Sequence, residues 1–109
     1  MRENSSPEAH VSAPTGRISF EGEVIMVRSY ENDYGENWKM LMKISTLLGT
    51  WLCFVSVPST LRDQHYSAIT DESLAGWLRG KRITLTATLT PGKEKHFTFG
   101  KRPTGARIL

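Results

Sequence analysis

At 109 residues the chain has the length of one domain and can bury a core without staples. Apolar residues make up 39% and charged residues 23%, a soluble balance; no run approaches the roughly 20 apolar residues of a membrane span. The net charge of +3 is unevenly spread: Arg79, Lys81, Arg82, Lys93, Lys95, Lys101, Arg102 and Arg107 face Glu94 alone in the last third, while the preceding residues are mildly acidic, and a field segregated in this way suits a polyanionic partner.

Residues 1–16 (MRENSSPEAHVSAPTG) are polar, with Pro7 and Pro14 and no apolar period, and are expected to be a disordered tail. They lack a basic start followed by an apolar stretch, so no secretory signal is expected. Residues 17–30 predict a long first strand. Gly22 interrupts it, the mark of a bulge or bend, and a strand bent there can pair with different neighbours through its two halves. Asn32, Asp33, Gly35 and Asn37 predict a turn.

Residues 38–45 alternate, with Trp38, Met40, Met42 and Ile44 on one face and Lys39, Leu41 and Lys43 on the other. Residues 50–57 alternate as well, Trp51, Cys53, Val55 and Val57 against Leu52, Phe54 and Ser56, which completes a three-strand meander. Pro58 ends the third strand. Leu74, Trp77 and Leu78 then share a helical face, which predicts one short helix over residues 71–78 with Thr70 as N-cap; a turn around 59–66 is a second helical candidate. In residues 81–90 Ile83, Leu85, Ala87 and Leu89 interleave with threonines as a fourth strand. After the Pro91-Gly92 turn, residues 95–100 and 104–108 predict a final broken strand or hairpin. Three strands, a helical connection and two further strands predict an all-β, five-stranded barrel with one short helix between the third and fourth strands.

With Gly22 in the first strand, the Tyr30–Tyr34–Gly35 turn into Trp38–Lys43, the run Val55–Ser59, the strand Gly80–Ala87 and the closing Phe97–Pro103, residues 17–109 resemble the OB-fold single-stranded nucleic-acid-binding domains, phage-type single-stranded DNA-binding proteins among them. The resemblance implies a ligand lying across the second and third strands, flanked by the first-second and fourth-fifth loops. It implies single-stranded DNA as partner, bound with little sequence preference in replication, recombination or repair. An RNA-binding OB domain is the first alternative. A protein-interaction barrel docking through Leu41, Leu52 and Phe54 is the second. A second copy of the chain and replication or repair proteins are further candidate partners; a membrane is not.

The residues that would carry binding follow from these placements. Lys39 and Lys43 lie about 13 Å apart on an extended strand. Phe54 is a stacking platform if it points outward; if it is core, Trp51 is outside. Tyr30 and Tyr34 border the first-second loop, with the acids Glu31, Asp33 and Glu36 around them. Trp38 is either a stacker or a barrel-end core residue. Lys93 and Lys95 in the fourth-fifth loop could close over a strand, and Lys101 with Arg102 forms a second cationic pair. Aromatic rings would stack on bases while the cations meet phosphates.

No enzyme or cofactor is expected. His10, His65 and His96 have no metal-type spacing with one another or with Cys53, and no nucleophile-elbow, zincin or P-loop motif is present. Cys53, the single cysteine, excludes an intrachain disulfide, fits a reducing cytoplasm and reads as a buried inert thiol.

Overall fold

The computed structural model of the protein describes residues 10–33 and 35–109. In chain order these form β1 (Gly16–Asn32), β2 (Gly35–Ser45), β3 (Thr50–Ser56), α1 (Ser59–Ser67), α2 (Leu74–Leu78), β4 (Arg82–Pro91) and β5 (Phe97–Ile108). The strands close into a barrel in the order β1-β2-β3-β5-β4. The β3–β5 pair is parallel and the other pairs are antiparallel. With its helical connection between the third and fourth strands, this is the OB arrangement.

Closure depends on the bend in β1. Its first half pairs with β4 and its second half with β2; Glu23 sits at the handover, opposite both Arg82 and Lys43. Gly22 lies at this crossing because a side chain has no room there: a Cβ would come within 2.8 Å of the Lys43 carbonyl oxygen and 3.0 Å of Ile44 Cγ1. One step later the β1–β2 register shifts between Val24 and Met26, which adds local twist.

The alternation of the strands becomes the core. Met40, Met42 and Ile44 of β2, Cys53 and Val55 of β3 and Ile83, Leu85, Ala87 and Leu89 of β4 point inward and are buried. Leu61 of α1 and Leu74 and Leu78 of α2 join the same cluster. Each fully buried aliphatic chain of this kind contributes about 1.5–3 kcal/mol relative to leaving it exposed.

Three expectations are corrected. The helical candidate around residues 59–66 forms α1, and the helix predicted over residues 71–78 starts later, at Leu74. Ser73 is its N-cap, its hydroxyl accepting from the Gly76 N–H at 3.1 Å, while the Thr70 hydroxyl is occupied by the Glu72 N–H at 3.2 Å. The end of the expected tail is held in place: Val11 N–H donates to the Thr50 carbonyl at 3.0 Å, Ala13 N–H to the Lys95 carbonyl at 2.7 Å, and Val11 and Ala13 pack against the core. Residues 1–9 lie outside the described residues. The last segment is neither broken nor a hairpin but one strand, β5, which absorbs its irregularities as two register shifts against β4.

Candidate nucleic-acid interface

The outer face of β1, β3 and the start of β5 carries a row of rings, with Leu41 of β2 in line between them. Register places Met26 opposite Leu41, Leu41 opposite Phe54, and Phe54 opposite Phe99, so one line of side chains crosses four strands. Phe54 therefore points outward, and Trp51 is buried in the core. Tyr30 meets Phe54 edge-on with centroids 6.3 Å apart, Phe54 meets Phe99 at 6.3 Å, and Phe97 meets Phe99 at 5.2 Å. Edge-on packing fixes the rings without closing them into a face-to-face sandwich. Tyr30 and Phe99 are 44% and 43% exposed, enough ring surface for a base to contact.

Cations border this row. Lys39 lies opposite Arg28 on one side and Ser56 on the other, and its ammonium donates to the Ser56 hydroxyl at 3.1 Å. Lys43 lies between Glu23 and Leu52 in register. Lys93 lines a shallow cleft with Glu94, Phe97 and Phe99. Beside Met26 and Leu41 at the other end of the row, a second cleft is lined by Ile25, Val27, Ala75 and Gly76, with Arg79 among its lining residues.

Other expected residues fall elsewhere. Trp38 belongs to the inward set of β2 and packs against the core, because it shares the parity of Met40 and Met42. Tyr34 lies outside the described residues. Lys95 is exposed in the loop, its carbonyl engaged by Ala13. Lys101 sits opposite Thr88 of β4, one outward step beyond Phe99, and Arg102 is exposed in a left-handed conformation at φ 53°. Phe97, Phe99 and Arg79 join the site from the basic last third of the chain, and Arg28, opposite Lys39, joins without a sequence signal. The two-residue spacing of Phe97 and Phe99 around Thr98 was the available signal for the pair.

Chemically the arrangement offers ring faces and cationic donors. Burial pushes the Cys53 thiol up to about 11, against a smaller opposing effect of its hydrogen bond with Thr98. Among the described residues no three His, Cys, Asp or Glu side chains gather to hold a metal, and no helix is long and apolar enough to cross a membrane.

No family model matches the chain, and no curated protein matches it. Among solved structures it is similar to the small single-stranded DNA-binding protein from Streptomyces coelicolor, at 8% identity and a TM-score of 0.49, over 89% of this chain and 95% of that one.

Proposed function

We propose that the protein binds single-stranded DNA with little sequence preference, stacking bases on the β3–β5 row and neutralising phosphates with the bordering cations. The observation that carries this reading is the partly exposed ring series Tyr30, Phe54, Phe99 and Phe97, set beside Arg28, Lys39 and Lys93. Rings accept any base, because every base has a flat face, and the energy is about 1–3 kcal/mol per stacked base. Duplex DNA keeps its bases inside the stack and offers the rings nothing. Cover of unpaired strands without regard to sequence is what replication, recombination and repair require.

Anisotropy of labelled oligo-dT, against duplex of equal length, tests the reading over a salt series. Preference for the single strand, with affinity falling steeply as salt rises, is the expected result; equal binding of both forms, or none, overturns it. The label belongs on the DNA because Trp51 and Trp38 belong to the core and Trp77 lies under the Lys81 ammonium at 4.8 Å, so no tryptophan sits in the ring row. Leu41 and Leu52 beside Phe54 support a second reading, an apolar protein-docking face. Its mark would be binding to a protein partner that survives charge reversal of Lys39.

A further inference from the structure

We propose that a bound strand does not stop at the aromatic row but continues over β5 onto a second surface, built from Arg17, Lys101, Thr104 and Arg107, that grips phosphates alone. This extends the reading above and rests on it.

The surface is made by the two irregularities of β5. Thr84, Thr86 and Thr88 of β4 are spaced by two residues, yet their partners in β5 are Arg107, Thr104 and Lys101, spaced by three. A regular strand alternates faces every residue, so if Lys101 and Arg107 pointed outward, Thr104 would turn into the barrel. An extra residue inserted on each side of Thr104 brings all three out together. The insertions carry the left-handed residues Arg102 (φ 53°) and Gly105 (φ 63°). Glycine takes that conformation freely, whereas arginine is strained in it, and strain of this kind persists where the surroundings hold it in place. Pro103, which lacks an N–H for the ladder, falls inside the first insertion, where strands tolerate it.

On the other side of β4 the grid is completed by β1. Arg17 lies opposite Thr88, Ser19 opposite Thr86 and Glu21 opposite Thr84. The Arg17 guanidinium donates to the Thr88 hydroxyl at 3.1 Å and to the Thr104 hydroxyl at 2.9 Å, and so bridges the β4–β5 seam. Each of those hydroxyls accepts from Arg17 and keeps its own proton to donate, and the guanidinium has further N–H groups to offer. Hydroxyls and guanidinium together are phosphate ligands. The acid of the grid, Glu21, is taken up by Arg82 at 3.0 Å, so the surface stays cationic. It has no aromatic ring, so it reads no base. Successive rows stand about 7 Å apart along β4.

Continuity with the row fixes the occupant. Phe99 and Lys101 project from the same side of β5 as consecutive outward residues, paired with Thr90 and Thr88. A polyanion leaving Phe99 therefore meets Lys101 next, then Arg17 and Arg107. A second copy of the chain presenting the same cationic face would be repelled.

Oligo-dT of about six nucleotides, enough for the row, and of about twenty, enough to reach past it, separates the two surfaces. Lys101→Gln with Arg107→Gln should leave affinity for the short oligomer within about twofold and lower it for the long one by roughly tenfold at low salt, with the long-oligomer salt slope reduced by about 1.4. Arg17→Lys, which keeps the charge but cannot span both threonines, should weaken only the long oligomer, and thermal melting should show both variants folded. Phe54→Ala with Phe99→Ala should weaken both lengths. Unchanged long-oligomer binding in both the Gln pair and Arg17→Lys overturns the inference, as does equal weakening on short and long oligomers. A change in sedimentation without a change in DNA binding also overturns it, assigning the face to a second copy. Wild-type protein that fails on the short oligomer as well removes the aromatic-row reading, a different result from losing the extension alone.

Discussion

The rings of Phe54 and Phe99 stand edge to face, centroids 6.3 Å apart and planes at 88°, because β3 and β5 run parallel with these two residues in register. Phe54 in turn receives Tyr30 at 87°. Each ring is held by its neighbour, so the row is pre-organised before any base arrives, and a pre-organised platform loses little side-chain freedom on binding. Phe54→Ala and Phe99→Ala should each weaken oligo-dT binding by about 1–3 kcal/mol. Since the rings touch, the double variant should depart from the sum of the singles. A double-mutant cycle of titrations at fixed salt checks both statements, and additive losses would mean the rings act apart.

Lys39 supplies charge at the edge of the row, its ammonium resting on the Ser56 hydroxyl. Lys39→Gln removes the charge while leaving a group that can still hydrogen bond. The slope of log affinity against log salt should fall by about 0.7, the share of one phosphate contact on a single strand. A full salt titration of wild type and variant measures this; an unchanged slope means Lys39 meets no phosphate.

The barrel was legible where burial is one-sided. In β2 and β4 polar residues mark the outer face, so Met40, Met42, Ile83 and Leu85 announce the core by parity, and Gly22 announces the bend by interrupting a strand. In β3 both faces are apolar, so composition could not say whether Phe54 or Trp51 was inside; the parallel partner β5, remote in sequence, decided it. Lys101 and Arg102 were grouped by charge, but the insertions around Thr104 decide where they point, and a left-handed arginine leaves no trace in a period-two pattern. The docking of residues 10–13 was hidden for a related reason. Only Val11 and Ala13 touch the core, and the backbone hydrogen bonds that anchor them carry no side-chain signature.

Gly22 should tolerate no side chain. In Gly22→Ala the new Cβ would meet the Lys43 carbonyl oxygen at 2.8 Å, a backbone atom that yields only if β2 moves. Overpacking of this sort costs about 1–3 kcal/mol. The denaturant midpoint should fall with its slope unchanged; wild-type stability would mean the β1–β2 crossing is looser than its geometry.

Ile69 offers the opposite experiment. It follows α1 at φ 50° and is 93% exposed, so a β-branched residue occupies a left-handed position without burying anything. Ile69→Gly should stabilise the protein by about 1 kcal/mol, because glycine has no Cβ to clash there. The gain should appear as a higher melting temperature with unchanged DNA binding, since residue 69 lies outside both the row and the grid.

Cys53 makes stability depend on pH in the alkaline range. Burial raises its thiol from 9.0 to about 11, so the folded protein holds the proton more tightly than the unfolded chain. Below about pH 9 both states carry the neutral thiol, and its full contribution is present. Between about pH 9 and 11 the unfolded chain ionises first, and stability falls by up to about 2–3 kcal/mol. Above that range the loss levels off. Lysines and tyrosines titrate in the same window, so the contribution is read as the difference between wild type and Cys53→Ala across the pH series. The variant is less stable at neutral pH for lack of side-chain volume, and the gap should narrow as pH rises from 9 to 11. A disulfide reagent at neutral pH should label Cys53 only as fast as the barrel opens, because the native thiol is both protonated and fully enclosed; rapid labelling of the native protein, or a gap that stays constant with pH, would contradict the burial of this group.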